Sequence, residues 1–127
     1  MIDALFSQTG YQMAKKLLDA TALRHEAIAS NLANVETPHY RRLDLSPTFA
    51  AELQQALETG DPGRIARLKP TLATDTRAVS NRRDGNTVQL ESELLRLNQN
   101  ALEHALETQL LTGALLRLRL AISGRPG

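Results

Sequence analysis

The chain has 127 residues, and its 15 Lys and Arg against 14 Asp and Glu leave a net charge of +1, no general electrostatic reason to expect nucleic acid or an anionic membrane as partner. The absence of cysteine excludes disulfide scaffolds, thiol catalysis and thiolate metal sites. A hydrophobic content of 42% with two Phe, two Tyr and no Trp describes a single domain cored by Leu and Ala, both good helix formers, and therefore an all-α fold.

The opening Met-Ile-Asp-Ala-Leu-Phe-Ser lacks the basic region, apolar stretch and cleavage site of a secretory signal. No run of about 18 apolar residues marks a transmembrane span. From Ile2 to about Asn34, Ile2, Phe6, Met13, Leu17, Ala20, Leu23, Ala27 and Ile28 fall on or near one helical face. Gly10 is a weak point inside that helix, costing about 1 kcal/mol relative to Ala. The pattern stops within Ser30 to Arg42: Asn34 suits the C-cap because its short amide tolerates the left-handed conformation. Pro38 drives Thr37 out of the α region, so the chain leaves the helix along a fixed path and Tyr40 can turn back on it.

Residues 43–87 form a central insert between an N-terminal segment, 1–42, and a C-terminal one, 88–127. The insert opens with a short helix, in which Ser46 is the N-cap, Pro47 the first helical residue, Phe49, Leu53 and Leu57 the apolar face, and Gly60 the terminator. Asp61-Pro-Gly63 reads as a turn. Arg64 to Arg83, with weak periodicity, Pro70, five Arg and one Lys against Asp75, reads as an extended or mobile surface arm. Asp84-Gly85-Asn86-Thr87 is a second turn, with Asn86 or Thr87 capping the helix that follows.

That helix, Val88 to Ile122, dominates the chain. As one rod it would be roughly 50 Å long at about 1.5 Å per residue, longer than a compact domain of this size. Leu90, Leu94, Leu97, Ala101, His104, Thr108, Leu111, Leu115, Leu118 and Ile122 recur in steps of four and three, a heptad seam with a polar break in its middle. Glu91 and Glu93 open the helix and Arg117 and Arg119 close it, each sign at the end its dipole favours. In the final turns Leu110, Leu111, Leu115, Leu116, Leu118, Leu120 and Ile122 point nearly all round, as in a buried helix. Burying seven such side chains is worth on the order of 10 to 20 kcal/mol. One partner helix cannot cover them all, so the two terminal helices are expected to pack as a coiled-coil-like hairpin and then to associate with further subunits. The expected subunit interface is Phe6, Met13, Leu17, Leu23, Ile28, Leu90, Leu94, Leu97, Leu111, Leu115, Leu118 and Ile122.

No enzymatic site assembles from the sequence. His25, His39 and His104 are dispersed, and the Gly60-Asp-Pro-Gly63 stretch is a helix terminus and turn, not a phosphate loop. His104 and Glu107 lie one turn apart, more simply a solvated pair than a metal site. No cofactor, metal or small-molecule substrate is therefore expected. A soluble helical adaptor or a nucleic-acid-binding module using the basic arm 64–83 is the alternative to an assembly subunit, although the arm lacks the aromatic residues that stack on bases.

The stretch Ser30-Asn-Leu-Ala-Asn-Val-Glu-Thr-Pro-His-Tyr-Arg-Arg42 resembles the signature of the bacterial flagellar axial proteins, the rod and hook family. That signature is Asn-hydrophobic-Ala-Asn, two variable residues, Thr-Pro-Gly-Tyr and a basic residue, matched here by Asn31, Ala33, Asn34, Thr37, Pro38, Tyr40 and Arg41. Asp84, Gly85, Asn86 and Val88, leading into the last helix, resemble a second motif of the proximal rod members. His39 departs from the pattern where the family has Gly, and Gln89 where an acid is often seen. The resemblance implies a structural subunit of the proximal rod in the flagellar basal body, exported through the flagellar export apparatus without signal cleavage. It also implies polymerisation with other copies of itself through the terminal helices, around the export channel. The partners it implies are the MS ring, FliE and FlgC-type rod proteins, with no nucleic acid among them.

Overall fold

The two long apolar patterns fold as helices at opposite ends of the chain. The computed structural model describes the backbone of residues 2–124 and the side chains of residues 8–124. In chain order it contains α1 (Ile2–Ala33), β1 (Leu43–Leu45), α2 (Pro47–Thr59), α3 (Pro62–Arg67), β2 (Leu72–Thr74) and α4 (Leu90–Ser123). Asn31 of α1 meets Glu93 of α4, while Thr21, further back in α1, meets Asn100 and His104. The terminal helices therefore pack antiparallel, as the hairpin reading expects. α1 passes Gly10 unbroken, and α4 ends at Gly124, whose φ of 66° lets its N–H close on the Leu120 carbonyl at 3.0 Å. Arg117 and Arg119 stop short of the last turn of α4, so they do not cap its dipole.

The core sits where the insert folds onto α1. Phe49, Leu53 and Ala56 from α2 and Ile65 from α3 bury against Ala20, with Leu17, Leu45, Leu57 and Leu68 around them. α2 starts at Pro47 and ends at Gly60, but Ser46 does not cap it through its side chain: the hydroxyl meets that of Thr48 at 2.9 Å. Asp61-Pro-Gly63 is more than a turn. The Asp61 carboxylate accepts the Gly63 N–H at 3.0 Å and starts α3.

Residues 64–83 are not a free arm. Ile65 has no exposed surface, β2 pairs antiparallel with β1 in the register Leu43 to Thr74, Asp44 to Ala73 and Leu45 to Leu72, and Arg82 donates to the Val35 carbonyl at 2.6 Å and to Asp84 at 2.9 Å. Polar residues obscured the periodicity here, because α3 buries Ile65 alone and β2 only half-buries Leu72 and Ala73.

The turn before α4 also differs from expectation. Gln89 takes the N-cap position of α4 without a side-chain bond. Asn86 instead serves the other helix: its Nδ2 donates to the carbonyls of Asn34, Val35 and Thr37 at 2.9, 3.2 and 2.8 Å, and its Oδ1 accepts the Val88 N–H at 2.7 Å. Carbonyls at a helix exit have no partner within the helix, and Asn86 supplies one from far along the chain. Thr87 Oγ1 accepts the Arg42 N–H at 2.8 Å. Asn34 does not adopt the left-handed conformation. Among the described non-glycine residues only His39 does, at φ 62°, so the position where the resembling family carries Gly does require positive φ.

The face of α4 that meets α1 is not the leucine seam. The buried residues of α4 are Glu93, Asn100, Glu107 and Ala114, spaced by heptads. Asn100 Nδ2 donates to the Thr21 carbonyl at 2.9 Å, but its Oδ1 and Glu107 Oε2 are buried without a partner. Burial pushes the Glu107 carboxyl above its ordinary value and Glu103 adds to the push, while Thr21, Arg24 and His104 oppose it without cancelling it.

A carboxyl whose folded pKa is raised favours folding while it is protonated and withdraws that support as pH climbs past about 4.5 through the folded value. Glu107→Gln should therefore stabilise the chain at about pH 7 by roughly 1 kcal/mol, the gap closing towards about pH 4, in urea denaturation at both pH values. A variant no more stable than the parent at the higher pH would contradict the buried, unpartnered carboxyl. His39→Gly should raise the urea midpoint, since the left-handed conformation costs a side-chain-bearing residue about 1 kcal/mol. Gly85→Ala should lower it, because Gly85 has φ 74° and a Cβ there would lie 2.9 Å from His39 Nδ1.

Candidate functional site

The motif residues gather at the exit from α1, around a guanidinium that the sequence did not single out. Arg42 is buried at the start of the insert. Its Nε bonds Glu93 Oε1 at 2.6 Å, and its Nη1 bonds Asp75 Oδ2 at 2.5 Å and Asp44 Oδ2 at 3.2 Å. Burial alone would work against its charge, but Glu93, Asp75 and Asp44 outweigh this and hold it protonated more firmly than a free arginine. Burial would likewise raise the Asp75 carboxyl, yet bonds from Arg42 and the Arg77 N–H keep it below the usual carboxylate range. Arg96 approaches Glu93 at 3.4 Å and Arg24 approaches Asp44 at 3.8 Å, so the cluster ties α1, β1, the end of β2 and α4 together.

Asn31 completes the junction. Its Nδ2 donates to the Leu43 carbonyl at 2.9 Å and to Glu93 Oε2 at 3.2 Å, and its Oδ1 accepts the Leu43 N–H at 2.8 Å. The amide thus pairs with both backbone groups of one residue, as a neighbouring strand would. Tyr40 turns back as expected, its hydroxyl 2.9 Å from Ser30 Oγ and 3.4 Å from Asn31 Oδ1. Asn34 donates to the Ser30 carbonyl at 2.8 Å and accepts the Thr37 hydroxyl at 3.1 Å. Ala33, Pro38 and Arg41 are exposed: of the adjacent arginines it is Arg42, not Arg41, that is buried. The doubled arginine and the heptad Glu93, Asn100, Glu107 were the available signals.

The residues expected at a subunit interface divide in two. Ile28 is already covered within the chain, Met13, Leu17 and Leu23 are half-buried, and the Phe6 side chain lies outside the described residues. Leu90, Leu94, Leu115 and Ile122 are exposed, Ile122 by 79%, and Leu97, Leu111 and Leu118 are half-buried. Exposed leucines that the seam did not contain are Leu95, Leu102, Leu106, Leu110, Leu116 and Leu120, with Leu102 at 68% and Leu106 at 63%. A helix with this much apolar surface in water is a docking element.

A cleft of about 470 Å³ lies beside Arg42, but its carboxylates, Asp44, Asp75 and Glu93, are engaged by the guanidinium. His25, His39 and His104 stay dispersed and exposed. Among the described residues no group of three or more His, Asp or Glu is placed to hold a metal, and no helix is long and apolar enough to cross a membrane.

No protein-family model matches the chain. Among curated proteins it is similar to the flagellar basal body rod protein FlgB of Cereibacter sphaeroides ATCC 17029, at 32% identity over 109 residues, covering 80% of this chain and 84% of the relative. It is also similar to FlgB of Borrelia hermsii, 29% identical over 77% of this chain and 84% of the relative. With FlgB of Escherichia coli K12 it shares 29% identity over 89% of this chain and 91% of the relative. With this likeness extending over most of both chains, the chain belongs to the FlgB family of flagellar basal body rod proteins.

Proposed function

We propose that this chain is a structural subunit of the proximal rod of the flagellar basal body, polymerising through its terminal helices into the drive-shaft tube around the export channel. The observation that carries this reading is the inverted hairpin, in which polar groups of α4 face α1 while its leucines face water. Fully burying one such leucine is worth about 1.5 to 3 kcal/mol, so the stable arrangement is one in which other chains cover α4. Leu90, Leu94, Leu97, Leu111, Leu115, Leu118 and Ile122 form part of that covered surface, with Met13, Leu17 and Leu23 supporting α1 beside it. In this division of labour residues 1–42 and 88–127 assemble and residues 43–87 hold them in register. The subunit leaves the cell interior through the flagellar export apparatus without signal cleavage. Its neighbours are further copies of itself, the MS ring, FliE and FlgC-type rod proteins, and it performs no catalysis. The nucleic-acid alternative loses its main support, because the basic segment it needs is folded against α1 and β1.

Deleting Leu110 to Gly127 should abolish swimming and rod assembly in a strain whose only copy is the truncated chain, while the chain still reaches the export apparatus. Normal swimming by that strain would reject the reading.

A further inference from the structure

Leu110 apart, which falls in line with Arg96, Glu103 and Arg117, the exposed leucines of α4 lie on two separate stripes. Counted in heptads from the buried Glu93, Asn100 and Glu107, the first stripe is the seam from Leu90 to Ile122, interrupted by Ala101, His104 and Thr108. The second lies on the far side of the helix and comprises Leu95, Leu102, Leu106, Leu116 and Leu120, interrupted by Gln99, Gln109 and Gly113. Glu91, Asn98, Thr112 and Arg119 run between them, so the stripes are distinct faces. Among the described residues every exposed large hydrophobic outside α4 is Val79 alone. Within a homopolymer, the described apolar surface that can cover one α4 is therefore another α4.

We propose that α4 packs against α4 of the next copy in the same direction, the first stripe of one copy set on the second stripe of the next with an offset of five residues. Both stripes step by four and three in the same phase, so this offset superposes them layer by layer. It sets Leu90 on Leu95, Leu97 on Leu102, Leu111 on Leu116 and Leu115 on Leu120 of the next copy. Two of the three breaks in each stripe coincide as well: His104 meets Gln109, and Thr108 meets Gly113, where nothing else lies within 4 Å of a would-be Cβ, while Leu94 faces Gln99 and Ala101 faces Leu106.

Charge selects the direction. Reversing the second helix while keeping the breaks together brings Arg119 beside Arg96 of the facing copy, whereas the same-direction contact sets Arg119 beside Thr112 and Glu91 beside Asn98. Because the two faces differ, the contact is heterologous and repeats from copy to copy instead of closing as a pair. The offset shifts each copy by roughly 7.5 Å at about 1.5 Å per residue, which winds the series into a helix. This deepens the rod-subunit reading and rests on it.

The chain has no cysteine, so introduced thiols report single contacts. Leu115→Cys with Leu120→Cys in one chain cannot bridge internally, because the two positions face opposite sides of the helix. Oxidising basal bodies that carry this double variant should convert most of the chain into a ladder of dimers, trimers and higher multimers on a non-reducing gel. Either single variant should stay monomeric, and Leu90→Cys with Leu95→Cys should repeat the ladder. Dimers from a single variant would mean a two-fold contact. A ladder from Leu102→Cys with Leu115→Cys, with none from the first pair, would mean the reversed direction. Either result, or assembled chain with no ladder, overturns the contact and leaves the rod reading standing. A parent chain absent from basal bodies overturns both. If neither double variant assembles, the same oxidation on concentrated purified chain decides, and failure to cross-link there overturns the contact.

Discussion

The bond between Arg42 and Glu93 decides how α4 is turned. Both side chains are withdrawn from water, so each needs the other: without Arg42 the buried Glu93 would keep only Asn31 and the half-buried Arg96, and without Glu93 the guanidinium would lose its most buried partner. Glu93 must therefore face inward, towards Arg42 and Asn31. A straight helix then has no freedom left. Asn100, Glu107 and Ala114 follow Glu93 onto the inner face by heptad spacing, and the leucines are carried round to the outside. A polar pairing near one end thus sets the rotation of a helix of 34 residues, against the pull of its own apolar pattern.

The consequence is a hairpin whose inner seam is weaker than its outer surface. Inside, among the described residues, Asn100 Oδ1 and Glu107 Oε2 lie buried and unpaired, and each such atom costs about 1 to 3 kcal/mol. Outside, each leucine left in water forgoes burial of similar or larger size. Neither feature suits a chain that works alone. Taken together they describe a subunit whose internal joint needs to be specific rather than strong, because polar seam residues fix register at some expense of stability. The apolar surface is then free for contacts between chains.

Much of this fold was legible from residue order. Helical periodicity located both terminal helices to within a few residues, and Pro47 and Gly60 bounded α2 because each has a conformational reason to stand where it does. The departure at His39 from the family glycine was likewise readable, and the structure shows its backbone consequence, a positive φ on a residue with a side chain. What could not be read was which side of α4 faces α1. Period alone finds an apolar stripe but does not know that Arg42, some 51 residues earlier in the chain, claims Glu93. The same limit hid the work of Asn86. Next to a helix start an asparagine reads as a cap, and only the folded chain shows the exit of α1 within its reach.

The two motifs that carry the family resemblance are therefore one structural joint. Asn86 of the second motif binds the carbonyls of Asn34 and Thr37 of the first, 52 and 49 residues away, and Thr87 holds the backbone of Arg42. His39 and Gly85 press against each other in the same turn, so each limits what the other position can carry. None of these groups contributes to the leucine stripes. Among the residues that make the chain recognisable, Asn31, Asn34, Thr37, Tyr40 and Asn86 hold α1, the insert and α4 at a fixed mutual setting, a task that demands particular hydrogen-bonding groups at particular points. The surface of α4 demands only apolar bulk at the correct spacing, which many sequences satisfy. Identity is thus readable in the joint, while the choice of neighbour resides in the phase and the breaks of the stripes that the joint turns outward.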